Sequence, residues 1–228
     1  MFQSTFMNTS SQSLDTLKDI RQMMERSSRF ISLSGWSGVA AGCCALVGAW
    51  FAHRVISGNS GTGEAYRQQL ESTTPENVSL RDFMGSQLFY IALFTFIAAL
   101  ILAFVFTYIR SKKNNTGIWS STAQRLMINV SIPMIVGGLY LWKLVQAGAF
   151  GLISPGCLIF YGLALVNAGK YTLKEVRYLG YLQIVVGLVN LSFIGYGLYF
   201  WAFGFGVLHI FYGILMWWKY EKDQERKE

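Results

Sequence analysis

Charged residues are scarce in this chain. They make up 14% of its 228 residues, against roughly 25% in an ordinary soluble domain. Apolar residues make up 53% and aromatic residues 16%. A soluble fold of this length cannot bury so much apolar surface. The composition therefore excludes a soluble enzyme, a disordered tail and a DNA-binding domain, and predicts an all-α integral membrane protein.

Six apolar runs are each long enough to cross about 30 Å of hydrocarbon, which takes roughly 20 helical residues. The sequence predicts six transmembrane helices arranged as three helical hairpins. It also predicts a cytoplasmic amphipathic helix within 1–29, an external loop at 52–84, a transmembrane domain over 30–218 and a charged cytoplasmic tail at 219–228. The predicted spans are approximately 30–51, 85–109, 127–147, 152–173, 178–198 and 200–218.

The loops differ in their basic residues. Of the 19 Lys and Arg, 15 fall on the side that holds both termini, and Arg54, Arg67, Arg81 and Lys143 fall on the other. Because cytoplasmic loops carry the excess of Lys and Arg, both termini are predicted to be cytoplasmic. This asymmetry also accounts for the net charge of +7, so no nucleic acid is needed to explain it.

Residues 14–29 predict an amphipathic helix ahead of the first span. Leu14, Leu17, Ile20 and Met24 recur at three- and four-residue spacing and form one apolar stripe. Such a helix either rests on the inner leaflet as an anchor or docks a cytoplasmic partner or a second copy of the chain. The candidate partner or lipid contacts are Arg26, Arg29, Lys112 and Lys113.

The carboxy-terminal half contains matched motifs that predict a parallel duplication of the last two hairpins. Small residues also recur on single helix faces, as in Ser34, Gly38 and Gly42, and favour close helix packing. Further pairs seven residues apart are Gly162 with Gly169, Gly180 with Gly187, and Gly206 with Gly213. The matched motifs are 138–142 with 197–201, 149–151 with 202–204, 159–162 with 210–213, and 170–171 with 219–220.

The predicted spans contain no Asp or Glu, and the chain has only two histidines and three cysteines. Tetrahedral zinc or haem ligation would lack partners within one chain. No Ser-His-Asp set, glycine-rich phosphate loop or carboxylate pair is present. We therefore expect no enzymatic activity, no metal and no cofactor.

Polar side chains near the predicted midplane are the candidate functional groups. His209 and Asn190 each need a hydrogen-bond partner in hydrocarbon. They either bond each other or a tyrosine as structural contacts, or line a ligand site together with Tyr161 and Tyr212. Substitution of His209 by Leu separates the two interpretations, since only a ligand site loses its ligand with the fold intact.

The stretch Ile20–Gly35, which reads IRQMMERSSRFISLSG, resembles the amino terminus of an uncharacterised family of six-span inner-membrane proteins of Bacteroidetes-type bacteria. The resemblance implies a bacterial inner membrane and a cytoplasmic amino terminus. Two functions follow as expectations. The first is a non-enzymatic regulatory or scaffold protein with a cytoplasmic or membrane partner, where the partner can also be a second copy of the chain in a homo-oligomer. The second is a carrier or channel for a small neutral or lipophilic molecule.

Overall fold

The computed structural model describes residues 34–58, 84–113 and 120–220, and the regular structure in these ranges is helical. Five of its six long helices, all except α5, are long and apolar enough to cross a membrane by length and composition. This is consistent with an all-α membrane protein. The helices are α1 Gly35–Ser57, α2 Gln87–Lys113, α3 Ser121–Gln146, α4 Ile153–Ala168, α5 Lys174–Leu191 and α6 Gly197–Tyr220.

Helix α6 is irregular in its middle. Residues Ala202–Leu208 form a π-helical segment between the α-helical parts Gly197–Trp201 and His209–Tyr220. Such segments are rare and frequently lie at functional sites. This one contributes the backbone of the candidate site described below.

The boundary between α5 and α6 differs from the prediction. The predicted fifth span ran to residue 198, whereas α5 ends at Leu191 and the chain turns before Gly197. Gly195 has a φ of 102°, a left-handed conformation that a β-carbon disfavours, so this glycine suits the turn. The apolar residues after Leu191 therefore belong to the turn and to α6.

The start of α3 and the end of α1 also differ from the prediction, because hydropathy alone does not determine where a helix begins or ends. Helix α3 begins at Ser121, six residues before its predicted start, where the Ser120 side chain accepts a hydrogen bond from the Ala123 backbone N–H at 3.1 Å. Helix α1 continues past residue 51 to Ser57. The loop predicted for 52–84 therefore begins later.

The predicted repeat is only partly reflected in the helices. Residues 159–162 lie within α4 and residues 210–213 within α6. However, 138–142 lies near the end of α3, before a turn, whereas 197–201 begins α6, after a turn. These two motifs therefore fall at different points of the two helical hairpins, because α5 ends early.

The helices form two groups of three. Helix α1 packs along α2 and α6, and we call these three helices the α1 trio. Helix α4 packs along α3 and α5, and we call these the α4 trio. The main contacts between the trios are those of α6 with α4 and α5.

Glycines bring the helices of each trio together. A β-carbon on Gly213 of α6 would meet the Gly35 carbonyl oxygen of α1 at 2.6 Å. A β-carbon on Gly162 of α4 would meet the Gly180 carbonyl oxygen of α5 at 2.8 Å. The predicted close helix packing at these glycines is confirmed, and it lets backbone approach backbone between α1 and α6 and between α4 and α5.

Candidate functional site

Polar side chains join the two trios, and we call this interface the seam. Its contacts fall into three groups. The Asn190 tier consists of Asn190, Ser154 and Gly197, the His209 tier of His209, Tyr161, Gln183 and Gly204, and the Glu175 tier of Glu175, Lys219 and Tyr220. Gln183, Asn190 and His209 are all buried, at 0%, 0% and 7% exposure. Buried polar groups are costly unless they are bonded, so their partners decide what the seam can do.

His209 bridges the trios in the middle of the seam. Its Nε2 lies 2.8 Å from the Tyr161 hydroxyl of α4, and its Nδ1 lies 3.0 Å from the Gly204 carbonyl oxygen. A carbonyl only accepts hydrogen bonds, so we assign the proton of the neutral ring to Nδ1. Nε2 then accepts from the Tyr161 hydroxyl, and both ring nitrogens are bonded.

Gln183 of α5 binds the same carbonyl. Its Nε2 donates to the Gly204 oxygen at 2.7 Å and lies 3.5 Å from the His209 ring. Its Oε1 has no hydrogen-bond partner among the described residues. A β-carbon at residue 204 would meet this oxygen at 2.6 Å, so glycine is needed there for Gln183 to approach.

Aromatic rings surround the His209 tier. The Phe205 ring stacks on His209, with centroids 6.0 Å apart and planes at 15°. Phe205 also contacts Tyr161 at 5.0 Å and Trp201 at 5.2 Å between centroids. The polar bonds of this tier are therefore flanked by apolar and aromatic surface, the kind of environment that small-molecule sites use.

The Asn190 tier lies seven residues further along α5, on the same helix face as Gln183. The Asn190 Nδ2 donates to the Ser154 hydroxyl of α4 at 3.1 Å, and Ser154 donates to the Gly197 carbonyl oxygen of α6 at 2.7 Å. The Asn190 Oδ1 has no hydrogen-bond partner among the described residues. Asn190 therefore contributes only the NH₂ group of its carboxamide to the hydrogen bonds of the seam.

The Glu175 tier closes the other end of the seam. Lys219 of α6 forms an ion pair with Glu175 of α5, and the Tyr220 hydroxyl lies 3.0 Å from both carboxylate oxygens. The Glu175 carboxylate therefore accepts hydrogen bonds from both Lys219 and Tyr220 at this end of the seam.

The structure brings together two of the four predicted ligand residues. Tyr161 and His209 are bonded, whereas Asn190 bonds Ser154 in a separate tier. Tyr212 is half-buried, and its ring packs on Phe211. Among the described residues no hydrogen bond links it to His209.

Of the predicted partner or lipid contacts, Arg26, Arg29 and the predicted helix at 14–29 fall outside the described residues. Helix α2 ends at Lys113, and Lys112 is exposed there. Because the main contacts of α2 are with α1, Lys112 is not part of the seam.

Three seam residues were absent from the predicted ligand set: Ser154, Gly204 and Gln183. Gln183 shares a face with Asn190 at a spacing of seven, a signal that the sequence does carry. Gly204 and Ser154 carry no such signal, because their roles depend on the π-helical segment and on the close approach of α4 to α6.

Comparisons with protein-family models, with curated proteins and with solved structures find no match. Within the described ranges, no group of three His, Cys, Asp or Glu side chains could hold a metal ion. The functional argument therefore depends on the geometry of the seam.

Proposed function

We propose that the chain is a membrane carrier for a small neutral or lipophilic molecule, which binds at the seam between the two trios. The observation that supports this most is the set of buried polar groups between the trios, including two carboxamide oxygens that have no hydrogen-bond partner in the described part of the chain. Sequence patterns favoured a regulatory role slightly, but the seam gives the carrier proposal a defined location.

The proposal places all six helices across a bacterial inner membrane, with both termini cytoplasmic. Helix α5 has 18 residues, so it is about 27 Å long, close to the thickness of the hydrocarbon. Its polar residues Gln183 and Asn190 are buried against the other helices rather than exposed to lipid. A span with polar groups on an inward face is typical of membrane proteins that bind ligands.

Two features of the seam suit a neutral ligand. Among the described residues, those that form the His209 and Asn190 tiers include no Lys, Arg, Asp or Glu to offer an ion a counter-charge. The bonds between the trios are made mostly by side chains, which rotate more easily than packed backbones separate. A ligand can therefore replace one of these bonds without disturbing the glycine contacts inside each trio.

The test is a search for a retained molecule. The protein is purified in native lipid and analysed by mass spectrometry, as wild type, as His209→Leu and as the control Phe203→Leu. Phe203 lies in the same π-helical segment but is 46% exposed. We expect a stoichiometric small molecule in the wild type and the control and its loss in His209→Leu. Equal retention in all three, or no retained molecule, would contradict the proposal.

A regulatory or scaffold role is the second candidate, and one feature favours it. Helix α2 has its main contacts with α1, and it exposes large apolar residues such as Phe94 and Phe104, at 67% and 62%. In the bilayer, a membrane partner or a second copy of the chain would share such a face with lipid. A stoichiometric protein partner that is lost on removal of residues 1–29 would support this role over the carrier.

A further inference from the structure

We infer that the Asn190 tier is a binding subsite for neutral hydrogen-bond donors, that is, for molecules that present a hydroxyl or an amide N–H. This inference depends on the proposed carrier function and names its substrate class. It starts from the unpartnered Oδ1 of Asn190, a fully buried side chain.

In either orientation of the Asn190 amide, one hydrogen-bond acceptor of the tier has no donor. Ser154 has a single hydroxyl proton, which it donates to the Gly197 carbonyl oxygen. If the Asn190 amide is reversed, its oxygen faces Ser154 and competes with Gly197 for that proton, and its NH₂ takes the unpartnered position. The observed arrangement leaves one polar group unsatisfied and the reversed one leaves two, and a buried group in that condition is costly.

The missing partner in the observed orientation is a donor. Asn190 Oδ1 is a neutral acceptor, so a hydroxyl or an amide N–H complements it, whereas a molecule with acceptors alone does not. Ser154 and Gly197 are only half-buried, so the tier lies close to the molecular surface.

The other unpartnered oxygen, Gln183 Oε1, is a weaker candidate. It lies against the backbone of Gly204, where even a β-carbon would approach it to 2.6 Å. Helix α4 also packs tightly between the two carboxamides, since a β-carbon on Gly187 would meet Ile159 at 2.7 Å. The donor subsite is therefore assigned to Asn190 alone.

The experiment uses the full chain in proteoliposomes and measures uptake of two neutral solutes by light scattering. Erythritol presents hydroxyl donors, whereas trimethylamine N-oxide has an acceptor and no donor. The variants are Asn190→Leu and the control Val189→Leu, which changes an exposed neighbour on the same helix. Asn190→Ala removes the carboxamide without adding bulk and serves if Asn190→Leu does not fold.

We expect wild type and Val189→Leu to take up erythritol faster than trimethylamine N-oxide. Loss of one hydrogen bond in Asn190→Leu or Asn190→Ala should slow erythritol uptake about tenfold. Equal uptake of both solutes, or unchanged erythritol uptake in these variants, would overturn the inference while the carrier function stands. Uptake of both solutes no faster than in protein-free vesicles, together with no retained molecule in native lipid, would overturn the carrier function itself.

Discussion

The contacts inside each trio differ in kind from those between the trios. Inside the α1 trio, Gly213 and Gly35 bring two backbones so close that a β-carbon would lie 2.6 Å from a carbonyl oxygen. Across the seam, the Tyr161 side chain reaches the His209 ring at 2.8 Å, and Met216 and Ala168 belong to one buried apolar cluster. Backbone contacts therefore hold α1 to α6 and α4 to α5, whereas rotatable side chains make most of the contacts across the seam.

This difference shows where the molecule can change shape. In lipid, no hydrophobic effect drives helices together, so backbone packing at small residues supplies much of the association. A hydrogen bond between membrane helices contributes only about 0.6 kcal/mol on average. We therefore expect each trio to move as a unit and the seam to be the part that opens.

The largest loss of stability should come from a substitution at a helix contact inside a trio. Gly162→Ala would push a β-carbon against the Gly180 carbonyl oxygen and the Ile184 backbone, at 2.8 and 2.9 Å. We expect it to lower the free energy of unfolding by about 3 kcal/mol, as overpacking does. Equilibrium unfolding in mixed detergent measures this.

The matched control is Gly138→Ala on α3. No heavy atom lies within 4 Å of its β-carbon position. We expect no loss of stability there, because alanine favours a helix over glycine. Equal losses in the two variants would contradict the account of glycine packing within the trio.

A smaller effect is expected for Gly204→Ala at the seam. Its β-carbon would meet Leu158 Cδ2 at 2.4 Å and Gln183 Oε1 at 2.6 Å, which are the ends of side chains and can move. We expect a loss of about 1–2 kcal/mol, since the Gln183 bond to this residue would be weakened. A loss as large as that of Gly162→Ala in the same unfolding assay would contradict the distinction between backbone and side-chain contacts.

The bond between Tyr161 and His209 can be isolated by a double-mutant cycle. We expect Tyr161→Phe and His209→Leu to show a coupling energy of about 0.6 kcal/mol, with about 1.7 kcal/mol as the upper end for membrane helices. Unfolding of the two single variants and the double variant provides the measurement. A coupling energy of zero would mean that this bond does not join the trios.

The smallest loss of stability is expected for the ion pair between Glu175 and Lys219. We expect Glu175→Gln to lower the free energy of unfolding by less than about 1 kcal/mol at pH 7, since Lys219 is largely exposed. The same unfolding assay measures this, and a loss as large as that of Gly162→Ala would contradict the small contribution of this pair.

Hydropathy and glycine spacing predicted much of the helical architecture. The helix faces that carry Gly162, Gly180 and Gly213 were predictable, because small residues that recur on one face of a membrane helix commonly let another helix approach closely. The end of α5 was not, since residues 193–198 are as apolar as the helix itself and only the conformation of Gly195 marks the turn.

The candidate site was predictable only in part. His209 and Asn190 stand out as polar residues within apolar runs, and the expected tyrosine partner of His209 is Tyr161. The separation of Asn190 into its own tier depends on Ser154, whose position follows from how α4 meets α6. Periodicity along one helix carries no information about such contacts between helices.

The central claim is that two rigid trios move relative to each other at the seam, and spin-label distances test it most directly. Spin labels are placed in pairs at exposed positions. Ile109 with Tyr178 spans the seam, Ile109 with Trp218 lies inside the α1 trio, and Met127 with Tyr178 lies inside the α4 trio. The three native cysteines are first replaced by alanine. We predict that erythritol shifts or narrows the distances of the pair across the seam and leaves Ile109 with Trp218 and Met127 with Tyr178 unchanged. Equal changes in all three pairs, or none in the pair across the seam, would contradict the claim.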